Sequence, residues 1–237
     1  MNYIKHLEEF GYCVIPNILS NDECNIYISQ LWDWLEGLNS GIDRNKPDTW
    51  TDEFWPPNIY GITSQFNISH QQFVWDIRSN KNVIDVFSNI WETRELLVSF
   101  DAINIMRPKE FIEDIPEWFH VDQSSFKNFF CCVQGYINLE DTGEDDSTLV
   151  LYEGSHNYHT SLFENNGLNT TNNYYHLSEK DIDYIKSLNL KKKRIIARKG
   201  SLVLWDSRTI HCNCSSTTYD DKFRYAIYIC MTPKMWC

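Results

Sequence analysis

"RIIARKGSLVLWDSRTIH", residues 194–211, decides how the chain folds. Gly200 marks a turn, the apolar run 202–205 reads as a strand, and the stretch ends in polar residues and a histidine. Similar short runs lie on both sides of it. Upstream are "LLVSFDAINIMRP" (96–108), "FKNFFCCVQGYINLED" (126–141) and "TLVLYEGSH" (148–156), and downstream is "FRYAIYICMTP" (223–233). The N-terminal part is different. "GYCVIPNIL" (11–19) reads as a strand leading into "LSNDECNIYISQLWDWLEGLN" (19–39), where Ser20 and Glu23 form a capping box and the apolar residues recur at helical spacing. "NKNVIDVFSNIWE" (80–92) and "LSEKDIDYIKSL" (177–188) read as further helices. Helices first and many short strands afterwards predict a mainly β protein with flanking α-helices, an antiparallel barrel or jelly roll buttressed by the N-terminal helices.

The chain has 237 residues and no linker or internal repeat, so it is expected to form a single domain, 1–237. Residues 1–95 would be the helical buttress and 96–237 the β core. Residues 40–78 are aromatic and turn-rich without a clear period, as in a lid or binding loop. A net charge of −12 repels phosphate backbones and anionic membrane surfaces, so neither nucleic acid nor a membrane is an expected partner. "KKKR" at 191–194 flanks a strand. No run is long and apolar enough to span a bilayer, and the first residues lack a secretion signal's apolar stretch, so the expected location is cytoplasmic. In that setting the eight cysteines are expected as free thiols. Cys131 and Cys132 are read as strand neighbours facing opposite ways. The pair Cys212 and Cys214 lacks the second pair of a zinc ribbon.

"WFHVDQSS" (118–125) places His120 and Asp122 two residues apart. On a strand such residues share a face, so both can reach one metal ion. The bland reading is a solvent-facing polar pair. His211, 89 residues beyond Asp122, supplies a third candidate ligand, and Arg224 follows thirteen residues later. Two histidines and one carboxylate leave coordination positions open, which suits a non-haem Fe(II) centre. Arginine is the residue type that pairs bidentately with a carboxylate, here that of a 2-oxo acid.

These residues resemble the phytanoyl-CoA dioxygenase family of Fe(II)/2-oxoglutarate-dependent oxygenases. "FGYCVIPNILSNDEC", "HVDQS", "LVLYEGSH", "KGSLVLWDSRTIH" and "FRYAIYICM" fall in that family's order and cover most of the chain. The resemblance implies a double-stranded β-helix, a cupin-like jelly-roll barrel, around the metal. It implies Fe(II) ligands at His120, Asp122 and His211, which would be the catalytic residues. Arg224 would clamp the cosubstrate 2-oxoglutarate, and Gln134 would line the cosubstrate pocket. It further implies a dioxygenase that uses O2 to hydroxylate a small organic substrate, or a protein side chain, with release of succinate and CO2. Related halogenases replace the carboxylate ligand by a small residue, so Asp122 points to hydroxylation. The gap between His211 and Arg224, "CNCSSTTYDDKF", is longer than the family's. "YAIYI" after Arg224 keeps the strand pattern and keeps this arginine as the candidate.

Two other classes share these features. A non-enzymatic jelly-roll binding module would use 40–78 for recognition. A cupin-type metal isomerase or hydrolase would leave Arg224 without a task. Of the remaining polar residues, Gln123 and Ser124 read as solvated, Arg107 as a salt-bridge partner and Arg208 as a weaker rival to Arg224. Ser155 reads as structural, and His156 and His159 as hydrogen-bonded loop histidines. Trp50, Trp55 and Tyr60 read as a pocket wall or as core.

Overall fold

Ser20 accepts a hydrogen bond from the Glu23 amide while Glu23 reaches back to the Ser20 amide, and the long N-terminal helix starts at this reciprocal cap. Such a cap contributes about 1 kcal/mol. The computed structural model describes residues 2–219 and 221–236. Its elements begin with α1 (Tyr3–Phe10), β1 (Tyr12–Ile15), α2 (Asn21–Gly37), β2 (Ile62–Thr63), α3 (Gln72–Arg78) and α4 (Lys81–Trp91). There follow β3 (Leu96–Val98), β4 (Ile103–Met106), β5 (His120–Val121), β6 (Val133–Asn138) and β7 (Thr148–Tyr152). The chain closes with α5 (His159–Asn166), β8 (Tyr175–His176), α6 (Glu179–Ser187), β9 (Lys192–Arg194), β10 (Ser201–Asp206), β11 (His211–Cys214) and β12 (Arg224–Pro233).

The strands form two antiparallel sheets. The major sheet runs β1-β10-β6-β12-β4-β2, with β3 added beside β12, and the minor sheet runs β8-β5-β11-β7-β9. Alternation along β10 and β12 shows how the layers stack. Leu202, Leu204, Tyr225, Ile227 and Ile229 face the helices, packing with Leu31 and Leu35 of α2 and Phe87 of α4. Val203, Trp205 and Ala226 face the other way, against Leu149 and Leu151 of the minor sheet. These strands are therefore covered on both faces, which explains their nearly unbroken apolar runs in the sequence. Two glycines serve close approaches. Gly200 has a φ of +78°, and a Cβ there would overlap the Leu19 carbonyl. At Gly135 a Cβ would meet the Val203 carbonyl oxygen at 2.8 Å.

Several elements differ from the sequence expectation. The run 96–108 is split into β3 and β4, because residues 99–102 leave the ladder between them. The stretch 126–132 is loop, so Cys131 and Cys132 are not strand neighbours; Gln123 holds that loop through the Phe129 carbonyl (2.8 Å). α3 and α5 were not anticipated, being only 7 and 8 residues long with no side-chain cap. Residues 40–78 supply β2 to the major sheet, and Trp50 and Trp55 pack against Trp32 and Phe223 with ring centroids 4.8–6.2 Å apart.

Candidate active site

β5 is only two residues long, and its geometry sets the site. His120 lies directly opposite His211 of β11. Val121 points the other way and is fully buried in the minor-sheet core. Asp122 lies one residue past the strand end, where its amide donates to the Ser207 carbonyl (2.9 Å). Three side chains thus converge from two neighbouring strands. His120 Nε2 and His211 Nε2 lie 3.6 and 3.5 Å from Asp122 Oδ2, and the two imidazole centroids are 4.3 Å apart. Among the described residues this is the one group of three metal-ligating side chains brought together, with donor atoms all within 4.8 Å of one another.

The surroundings fix each donor. His120 Nδ1 faces the Trp118 carbonyl at 3.1 Å and His211 Nδ1 faces the Thr209 carbonyl at 2.8 Å. A carbonyl can only accept, so Nδ1 carries the proton in both rings and each Nε2 keeps its lone pair. Burial and the neighbouring His211 hold the His120 pKa below its usual value, favouring the neutral, ligating form. Burial pushes the Asp122 carboxyl up, but the two imidazoles beside it outweigh that and keep it well below the usual carboxylate range. The Gln134 amide donates to Asp122 Oδ2 at 2.9 Å, which orients the carboxylate. Trp118 stacks on His120 (4.6 Å, 13°), and Tyr60 stacks on Trp118 (4.7 Å, 28°). The donor set, its exposed lone pairs and its negative charge fit a divalent metal.

The triad opens into a cavity of about 290 Å³ that lies between the sheets. Its lining is mostly apolar, with Leu149 and Trp205 among its walls and Gln134, Asn213 and Tyr228 offering polar groups. Arg224, 3% exposed, does not line this cavity but is bonded to Asn213 of its wall. Its Nη1 donates to Asn104 Oδ1 (2.6 Å) and Asn213 Oδ1 (3.0 Å), while Nε and Nη2 have no hydrogen-bond partner. The guanidinium also lies over the Tyr136 ring, 5.0 Å from its centroid. A buried cation with two orphaned donors fits an incoming carboxylate.

The other polar residues have structural partners. Arg208 is paired with Asp206 (2.6 Å), which removes it as a rival to Arg224. Arg107 binds Asp52 and the Trp50 carbonyl. Ser155 Oγ accepts from the Ile210 amide, and His156 and His159 are bonded to the carbonyls of Glu8 and Gln123. Gln123 is not solvated; it is buried, accepting from Ser207 Oγ at 2.6 Å, and Ser124 is buried as well. Sequence reasoning missed the Gln134–Asp122 bond, the Asn104 and Asn213 supports of Arg224, and the Trp118 stack. The first two depend on pairing between segments far apart in the chain. The one local hint was Trp118, two residues before His120.

Comparison with known proteins agrees with this geometry. No family model matches the chain. It is 30% identical over 232 residues to the Ava biosynthesis cluster protein O of Aspergillus versicolor, covering 94% of this chain and 75% of that protein. It is 26% identical over 269 aligned positions to a Dictyostelium discoideum protein named "Putative phytanoyl-CoA dioxygenase", covering 96% of this chain and 74% of the relative. The fold superposes with a TM-score of 0.64 on the epimerase SnoN, solved in complex with Fe3+, alpha-ketoglutarate and nogalamycin RO. That match has 12% identity and covers 97% of this chain and 82% of SnoN. The two antiparallel sheets, the His-Asp-His cluster and the two relatives lead to one assignment: the chain belongs to the phytanoyl-CoA dioxygenase-like family.

Proposed function

We propose that this protein is an Fe(II)/2-oxoglutarate-dependent dioxygenase that hydroxylates a small organic molecule. The observation that carries the reading is a three-donor cluster opening on one small cavity, together with an orphaned, buried guanidinium bonded to Asn213 of that cavity's wall. His120, Asp122 and His211 would hold the iron, and Arg224 the distal carboxylate of 2-oxoglutarate. When bound, the pair would supply the activation of O2, with succinate and CO2 as co-products.

The chain's own residues supply orientation and a dry site. The two Nδ1–H bonds to backbone carbonyls keep both imidazoles in the ligating tautomer. Gln134 keeps Asp122 turned towards them. Arg224 is held in place by Nη1, so its Nε and Nη2 edge is preset for a carboxylate and little side-chain freedom is lost on binding. Leu149 and Trp205 exclude water around the reacting groups. The cavity is at the small end of ligand sites, roughly 300–1,000 Å³, which favours a compact substrate or one that inserts only its reacting end.

The test is anaerobic titration with Fe(II) and 2-oxoglutarate, followed by succinate release in air. His211→Ala should abolish iron binding and succinate release; release equal to the parent's would remove His211 from the ligand set. Stereochemical inversion, the activity named for SnoN, is separated by product mass, since hydroxylation adds one oxygen and epimerisation none.

A further inference from the structure

Cys132 and Cys230 meet at the wall of the same cavity, with their Sγ atoms 3.7 Å apart. Among the described cysteines no other sulfur–sulfur contact occurs. Cys13 and Cys212 are buried, and burial pushes each thiol up to about 12, which leaves them unreactive. Cys131 instead contacts the Gln123 side-chain oxygen (3.3 Å). We propose that Cys132 and Cys230 are a disulfide-forming redox site, with a peroxide as the oxidant, that reports oxidation to the neighbouring His-Asp-His cluster.

The local structure permits the closure. Cys230 lies on the β12 ladder opposite Gln134, whereas Cys132 precedes the first residue of β6 and is held on its other side by one backbone bond, its carbonyl accepting from the Ser207 amide (3.1 Å). A disulfide bond is about 2.05 Å long, so the sulfurs at 3.7 Å must approach by roughly 1.7 Å. The loop at 126–132 can supply that movement more easily than β12 can. In the first step one thiol, as thiolate, attacks a peroxide oxygen. The O–O bond breaks, one oxygen leaves as water, and the sulfur becomes a sulfenic acid. The second thiol attacks that sulfur, the S–O bond breaks, and a second water departs with its proton. Two thiols and one hydrogen peroxide thus give one disulfide and two waters.

The consequence for the site runs through Gln134. It is two residues from Cys132, directly opposite Cys230, and donates to Asp122. Pulling Cys132 towards β12 displaces the strand end that carries this amide and loosens its hold on the carboxylate. The bridge itself is independent of the oxygenase reading; its effect on turnover rests on that reading.

The experiment treats the reduced chain with one equivalent of hydrogen peroxide, alkylates the remaining thiols, and analyses the digest by mass spectrometry. The expected product joins the Cys132 and Cys230 peptides, two hydrogens lighter than their sum, and dithiothreitol releases them. Cys131→Ser should form the same bridge. Cys230→Ser should instead leave a sulfenic acid at Cys132 that dimedone captures. Full alkylation of both residues, or a bridge that survives Cys132→Ser by using Cys131, overturns the site. In parallel, succinate release should fall by at least half on oxidation and return with dithiothreitol. A complete bridge that leaves release unchanged overturns the link to Asp122. Absence of succinate from the reduced protein counts against the oxygenase reading, while the peptide masses still decide the bridge.

Discussion

Replacing Arg224 by lysine keeps the positive charge and removes the planar fork, which isolates the geometric part of the proposed cosubstrate clamp. In the parent, Nη1 is committed to Asn104 and Asn213, so Nε and Nη2 are the donors left for a carboxylate. Two charge-assisted bonds from that edge are worth about 1.5–3 kcal/mol each. A lysine ammonium, a point charge on a flexible stem, keeps one at best. Loss of one bond corresponds to a rise of about ten- to hundred-fold in KM for 2-oxoglutarate, at ~1.4 kcal/mol per decade. The assay is the initial rate of succinate release against 2-oxoglutarate concentration, with Fe(II) binding and the circular dichroism spectrum measured separately. Iron affinity should change little, because the guanidinium is not among the donors. A KM within twofold of the parent's at unchanged iron affinity would refute the argument, since orphaned donors that bind nothing cannot explain a buried, uncompensated cation.

Other expected outcomes follow from particular contacts. Gln134→Leu removes the amide that orients Asp122 and should weaken Fe(II) binding about ten- to hundred-fold, as loss of outer ligand supports commonly does; competition with a chromophoric chelator measures it, and unchanged affinity would contradict it. Burial depresses the pKa values of His156 and His159, whose Nδ1 atoms have no partner. The unfolded chain therefore takes up protons on these groups as pH falls through about 6.5 while the folded protein resists, so stability is fuller above that pH and declines on acidification. The urea midpoint should be lower at pH 5.5 than at pH 7.5, and the difference should shrink in His159→Gln; an equal or higher midpoint at pH 5.5 would count against it. Gly200→Ala should destabilise by at least about 1–2 kcal/mol from the positive φ alone, with the overlap on Leu19 adding to it; an unchanged urea midpoint would show that the turn relaxes.

How much of this was legible in the sequence depended on the range of the interactions. The α2 cap was readable because Ser20 and Glu23 are three residues apart and satisfy each other. β10 and β12 were readable because both faces are covered and the apolar runs are long. The His120–Asp122 spacing of the candidate ligands was visible, and the order of His211 and Arg224 suggested the rest. The 40–78 segment gave no period because its contacts are with distant partners: Trp50 and Trp55 answer to Trp32 and Phe223, and β2 answers to β4. The 126–132 loop looked like strand because its three phenylalanines suit one and it runs straight into β6. What removes it from the ladder is the Gln123 side chain bonding to carbonyls within the loop, a local competition that composition does not report. Gln134 was expected to line the cosubstrate pocket; it lines the cavity beside the triad, where its amide donates to Asp122.

The minor sheet is stitched to β5 by one residue pair, His120 opposite His211, and beyond β5 only the two-residue β8 follows. An ion shared by those two imidazoles would act as a rivet through this narrow seam. Loading the metal would then do mechanical work as well as chemical: the flank from Trp118 to Leu177 would stop fraying, and a protease or an exchanging solvent proton would find it closed.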